Sequence, residues 1–229
     1  MPTGVAIRDV RAQLFDAAER VLLRDGPSGL TSRAVTTEAG CAKGVLHRHF
    51  ADFDEFLAEF VLDRVNRLDD QAAALRGAAG TGIVVGNLIG ALTAVFGSVA
   101  LAIVPLITFR DELRARLRET WPAGVPVLTE AAIMITDYLR AEQRLGRIAA
   151  EAEPDALGPT LIGAAHLLFA DRTGPPPDAE AVATVVTTVI GSVLREPVPG
   201  EPVPSQSGLP GPLRRQGSAA TAADHPACG

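Results

Sequence analysis

The stretch "GLTSRAVTTEAGCAKGVLHRHF", residues 29–50, gathers four side chains that could do chemistry: Cys41, Lys43, His47 and His49. Lys43 is the only lysine in a chain whose other basic residues are all arginine. A metal centre is the first chemistry to weigh. Residues at i and i+2 of a helix point to different sides, and no acid or further cysteine here completes a tetrahedral set. No metal and no other cofactor is expected. A redox switch at Cys41 fares no better, because its sole possible partner, Cys228, lies 187 residues away in a Pro- and Gly-rich tail. No nucleophile–base pair, phosphate-binding loop or carboxylate pair stands at a recognisable spacing, so the chain does not read as an enzyme. What remains is a surface that holds something negatively charged.

Charge distribution agrees. Residues 1–50 carry seven basic and five acidic side chains, so the remaining 14 basic and 22 acidic residues leave the rest of the chain strongly negative within a net charge of −6. A slightly basic head on an acidic body suits a head that meets phosphate. Two widely spaced cysteines and an N-terminus with no apolar run ahead of a cleavage site predict a cytoplasmic protein without a signal peptide.

The elements that must position these residues are helical. Leu14, Ala17, Ala18, Val21 and Leu22 recur at helical spacing from about Arg8, until Asp25-Gly26-Pro27 stops the run. Thr31 or Ser32 can cap a short second helix ending near Glu38, Gly40 supplies a turn, and a third helix is expected over 42–49. Asp52 followed by Glu55 matches a capping box, opening a long amphipathic helix to about Ala74. Two short helices joined by a glycine turn, behind a supporting helix, describe a helix-turn-helix. In such a unit the second short helix enters the major groove N-terminus first. Lys43 then stands at its exposed start beside Gly44, and Arg33 follows Thr31 and Ser32 at the start of the preceding helix. Arginine and lysine suit guanine edges, while hydroxyls and helix N-termini suit phosphate.

At these residues the sequence resembles a known family. The segment from Leu14 to Leu57 is similar to the DNA-binding domain of the tetracycline-repressor (TetR) family, matching at Ala17-Ala18, Asp25-Gly26, Leu30-Thr31, Ala39-Gly40, Gly44, Leu46, His49-Phe50 and Leu57. The resemblance implies nine or ten helices, a variable ligand-binding domain and a homodimer built on the last two long helices. It also implies roles. Thr31, Ser32 and Arg33 match positions that touch backbone or base, Lys43 a base-reading position, and Arg48 and His49 groove-wall contacts. Ala42, Gly44, Val45 and His47 complete the predicted DNA-binding set. Four positions depart from the family pattern. Val45 stands where threonine is usual, His47 where tyrosine is usual, Phe53 where lysine is usual and Thr36 where a small residue is usual. Three of these changes remove phosphate-holding groups, which predicts a shallower salt dependence of DNA binding.

Beyond the head the chain is apolar. The uncharged span from Gly77 to Phe109 has the length of a membrane crossing, but Asn87, Gly97-Ser98 and Pro105 argue for two buried helices broken near Gly97. Further helices are expected over 111–120, 127–148, 159–169 and 180–194. The arginines of "FRDELRARLRET" read as a solvated face. The β-branched run ending at Leu194 is assigned to helix because Val182, Val185, Val186, Val189, Ile190 and Val193 fit a 3.6-residue stripe. From Glu196 onward 12 of 34 residues are Pro or Gly, so no core is expected there.

The predicted organisation is therefore all-α. A helix-turn-helix domain (1–52) precedes a larger helical ligand-binding and dimerisation domain (53–195) and a disordered tail (196–229). Phe96, Trp121, Met134, Tyr138, His166 and Phe169 are the candidate walls of a site for a small, mostly apolar effector. His166 has a second possible place, in a dimer seam with Val186 and Ile190. The functional expectation is a ligand-responsive regulator, a repressor, binding a palindromic double-stranded DNA operator as a homodimer through helices 159–169 and 180–194, away from the membrane. Two rivals stand beside it: a regulator-like fold serving as a protein-interaction module, and a membrane-associated protein with a helix-turn-helix head.

Overall fold

The computed structural model describes residues 6–97, 99–122, 124–170 and 174–195, with side chains from residue 10 onward. The tail predicted over 196–229, with Cys228, lies outside the described residues. Among the described residues there are ten α-helices, a terminal 3₁₀ turn and one isolated β-bridge.

The head begins with α1 (Ala6–Gly29), which is broken where predicted: Gly26 takes φ 71° and ψ −178°, outside helical geometry. Thr31 caps α2 (Ser32–Glu38), its hydroxyl accepting from the Ala34 amide at 3.1 Å. Gly40 follows at φ 65°, with nothing within 4 Å of where a Cβ would sit. Its role is therefore conformational. The third helix is shorter than expected. The Ala42–Val45 turn closes through Val45 N–H to the Ala42 carbonyl at 2.9 Å, and α3 runs only over Leu46–His49. An i→i−3 bond makes that first turn tighter than an α-helix, which leaves Lys43 and Gly44 on a turn rather than on the helix.

Asp52 caps α4 (Phe53–Gly77), its carboxylate accepting from the Glu55 amide at 2.8 Å. The reciprocal bond of the capping box reaches one residue further back, from the Ala51 amide to the Glu55 carboxylate. Asp54 and Glu55 add negative charge to the first turn, where the helix dipole favours it. Phe56, Leu57, Phe60, Val61, Val65 and Leu68 form the buried stripe of α4. Head and body meet on this helix. Phe15 of α1 lies 5.6 Å from Phe56 and 5.9 Å from Phe50, and Phe50 meets Phe56 edge-on at 5.1 Å.

The body continues with α5 (Val84–Phe96), α6 (Ala100–Phe109), α7 (Asp111–Thr120), α8 (Pro126–Arg144), α9 (Pro154–Phe169) and α10 (Ala179–Ile190), closed by a 3₁₀ turn at Gly191–Val193. No single helix among the described residues is long and apolar enough to cross a membrane, and α5 and α6 bend by 51° at the break near Gly97. Leu88, Leu92, Val95, Phe96, Ile103 and Leu106 are buried in the protein's own core.

Three helix bounds differ from expectation. α8 ends at Arg144 because Gly146 (φ 75°) and the Arg147 amide bonding back to Glu142 O turn the chain. α9 starts earlier, at Pro154, a residue that tolerates the first helical position, and carries Pro159 inside. At Gly158 α9 comes against α8: an added Cβ would run into Thr136 Oγ1 and approach the Ala132 carbonyl to 3.0 Å. α10 stops at Ile190, and the chain returns to the α8–α9 loop through the Ile148–Leu194 bridge.

Candidate nucleic-acid interface

The helix-turn-helix is assembled by its apolar positions. Val35, Ala39 and Leu46 are buried with Leu14, Ala17, Ala18, Val21 and Leu22, while Cys41 and Val45 pack partly against the same core. Gln13 of α1 donates to the Ala39 carbonyl at 2.9 Å, fixing the supporting helix to the turn. Thr36, where a small residue is usual, is accommodated because its buried hydroxyl donates within its own helix, to Ser32 O at 2.9 Å and Arg33 O at 3.2 Å. Cys41 is a half-buried free thiol in a packed position, and its sulfur is 3.5 Å from the Ala39 carbonyl.

With those residues turned inward, the polar ones face out. Thr31, Arg33, Ala42, Lys43, Gly44, His47 and Arg48 are exposed, and Ser32, Val45 and His49 half-buried. Among the described residues Arg33, Lys43 and Arg48 form no ion pair, unlike the arginines behind them. Arg20 and Arg24 of α1 both bind Glu38, at 2.7 and 2.8 Å. These two bonds hold the Glu38 carboxyl below the usual range, with Arg24 the larger cause. The cations on the outer face therefore stay available, while those on the supporting helix are neutralised. A shallow cleft lined by Arg24, Thr31, Arg33, Ala34, Thr37 and Glu38 lies on the outer side of α2.

Sequence reasoning missed the residues that attach this surface to the body. Phe53 stacks on Phe56 at 5.6 Å, and the Arg110 guanidinium sits 5.4 Å above the Phe53 ring while pairing with Asp54 at 3.0 Å. Arg116 of α7 pairs with the cap residue Asp52. The Glu55 amide and then Arg116 keep the Asp52 carboxyl below its ordinary value. Arg64 is the most buried, with 3 % of its side chain exposed, and ties α4 to α1 through Asp16 (3.0 Å) and Glu19 (2.6 Å) as well as to Asp63. One signal was available: Arg64 lies within the apolar stripe of α4, where a charge needs a partner.

The six candidate ligand residues divide between two places. Phe96 stacks on Phe169 at 5.6 Å and stands 6.1 Å from His166, at the packing of α5 against α9. Met134 and Tyr138 are buried in α8, and half-buried Trp121 donates to Glu130 at 3.2 Å. Tyr138 belongs to a polar cluster. Its hydroxyl accepts from Asn87 at 2.9 Å and also bonds Glu142, a fully buried carboxylate that receives the Gly80 amide at 3.3 Å and lies 3.5 Å from Arg147. Burial, followed by the Glu142 contact, raises the phenol's pKa above its ordinary value. Four cavities among the described residues are lined by side chains other than these six. Val186 and Ile190 are fully buried within the chain, so the outer face of α10 is made of Thr184, Thr187 and Thr188 instead.

Comparison with known proteins bears first on the head. Residues 14–60 match the family model described as bacterial regulatory proteins, tetR family. The head is a TetR-type DNA-binding domain. No curated protein matches it significantly. Among solved structures, a TetR-family regulator from Agrobacterium tumefaciens superposes with a TM-score of 0.63 at 11% identity, covering 82% of this chain and 99% of that one. A TetR regulator from Haloarcula marismortui gives 0.60 at 16%, covering 82% and 100%. FadR from Bacillus subtilis, solved with stearoyl-CoA, gives 0.60 at 15%, covering 80% and 98%. At such identities the likeness is one of fold, and it extends the TetR architecture through the helical body.

Proposed function

We propose that this protein is a cytoplasmic, ligand-responsive transcriptional repressor of the TetR family rather than an enzyme, binding a palindromic operator as a homodimer. One observation carries the reading. Arg33, Lys43 and Arg48 are exposed and, among the described residues, form no ion pair on the helix-turn-helix surface, beside the Thr31 hydroxyl and the α2 N-terminus. Lys43 reads a base edge. Thr31, Ser32 and Arg33 hold the backbone, while Ala42, Gly44, Val45, His47, Arg48 and His49 line the groove wall. The surfaces offered for pairing are α9, where Leu167 is 77% exposed beside Gly163, and the threonine face of α10. Neither exposed stretch carries a charged side chain in its middle, as a self-complementary interface needs. Two heads joined in this way must present their Lys43 turns about 34–36 Å apart.

An effector bound in the body favours a dimer whose heads are spaced differently, and only its difference in affinity between the two spacings can drive release. FadR of Bacillus subtilis was solved with stearoyl-CoA, which supports a mostly apolar effector here, with Phe96, Trp121, Met134, Tyr138, His166 and Phe169 around it after the body opens.

The test is a gel shift with DNA upstream of the protein's own gene. Retardation is expected at low salt, and no shift with any neighbouring intergenic DNA would sink the proposal. Lys43→Ala should cost about 1–3 kcal/mol on the operator and relax specificity at one position. An equal loss on all sequences would reduce Lys43 to a phosphate contact.

A further inference from the structure

A cavity of about 230 Å³ lies where head and body meet, lined by Glu19 of α1, by Arg64, Arg67, Leu68 and Gln71 of α4, and by Val99, Ala100, Ile103 and Val127. One wall is apolar: Leu68, Val99, Ile103 and Val127 are all buried. The other is polar and holds an unmet acceptor: among the described residues Gln71 Oε1 is buried with no hydrogen-bond partner, and Arg64 Nε is 2.6 Å from Glu19 Oε2 as an ion pair without hydrogen-bond geometry. A buried oxygen of this kind is costly unless a donor reaches it. Of the charged side chains, Glu19, Arg64 and Arg67 line the cavity, while Asp16 and Asp63 pair with the same two guanidinium groups from outside it.

We propose that this junction cavity binds a small amphiphile, with a short apolar body against Ile103 and Val127 and one N–H or O–H donor given to Gln71. The volume holds about eight water-sized groups, at roughly 30 Å³ each, so the ligand is a short aliphatic or single-ring molecule. A neutral alcohol gives Gln71 its donor without adding charge, a carboxylate has no donor to give, and an ammonium meets the guanidinium groups of Arg64 and Arg67. Because the cavity touches α1, α4, α6 and α8 together, an occupant bears directly on the Arg64–Glu19 link between body and head. This role as an effector site rests on the ligand-responsive reading above, whereas binding itself does not.

The test is titration of the full chain, without DNA, with hexan-1-ol, hexylamine and hexanoate, followed by calorimetry and by the methyl NMR signals of Val99, Ile103 and Val127. Saturable binding of the alcohol is expected, at least tenfold tighter than hexylamine or hexanoate, with those methyl signals moving. Gln71→Leu, at a half-buried position that leaves the apolar wall intact, should weaken the alcohol about tenfold. No saturation with the alcohol, equal binding of hexylamine or hexanoate, unmoved methyl signals or an unchanged affinity in the leucine variant would each overturn the proposal. A chain that binds hexan-1-ol at these methyls yet shifts no DNA keeps the cavity site and loses the operator reading.

Discussion

The head and the body are held together by different means. In the head, a ring cluster of Phe15, Phe50, Phe56 and Phe60 closes a small core, and arginines on α1 and α4 bind carboxylates around it. In the body, packing is mainly aliphatic, and its fully buried carboxylate, Glu142, sits in a knot with Tyr138, Asn87 and Arg147 that fastens the α4–α5 loop to the end of α8. A small core gains most from large rings, whose area and fixed geometry make few contacts count. A larger core can rely on many small aliphatic contacts and tolerate an irregular polar insert. The head is thus built to keep one surface in shape, whereas the body holds its loops by a single network.

The largest expected effect falls where the head packs on α4. Phe56→Ala removes the ring that Phe15, Phe50 and Phe53 all contact and should cost about 3–5 kcal/mol in denaturant melts. Arg64→Leu tests how far the two regions share one fate. Losing its charged hydrogen bonds should cost about 1.5–3 kcal/mol and separate the melting of α1 from that of α8 in hydrogen exchange. A single unchanged transition would show that the ring cluster alone couples them. In the body, Tyr138→Phe leaves Asn87 and Glu142 without the hydroxyl and should cost about 1–3 kcal/mol. Gel shifts at low salt should remain at wild-type strength.

The smallest effect is one of pH. The Asp52 carboxyl is held below its ordinary value of 3.8, so its contribution is complete at neutral pH and fades as pH falls below about 4. The difference in melting temperature between the wild type and Asp52→Asn should therefore shrink in that range. A difference that stays constant down to pH 3 would mean the cap works without its charge.

This contrast also explains what could be read from the residues alone. Gly40, Thr31, Asp52 and the buried positions around Leu46 each do one local job, and local jobs leave local signatures. The α3 start was misplaced because a 3₁₀ turn and an α-turn place Lys43 among the same neighbours in sequence. In the body, the periodicity of Leu88, Leu92 and Val186 shows a helix but not which helix it faces. The meeting of Phe96 with Phe169, and of Arg116 with Asp52, depends on separations of 73 and 64 residues that no pattern encodes. Tyr138 illustrates the limit. Its phenol in an aliphatic run reads as a ligand handle, and nothing in that run points to the bonds it makes with Asn87 and Glu142.

The length of α4 has a mechanical consequence. Its 25 residues form one helix without an interior proline, roughly 37 Å from end to end. Pivoting such a lever by about 5° moves its far end by about 3 Å, close to the ~3.4 Å step between neighbouring bases along one DNA strand. Arg64 and the neighbouring cavity lie near the midpoint of that rod, and the Lys43 turn is carried near its tip. A displacement too small to disturb the body's packing is thus large enough to carry the Lys43 turn about the length of one base step.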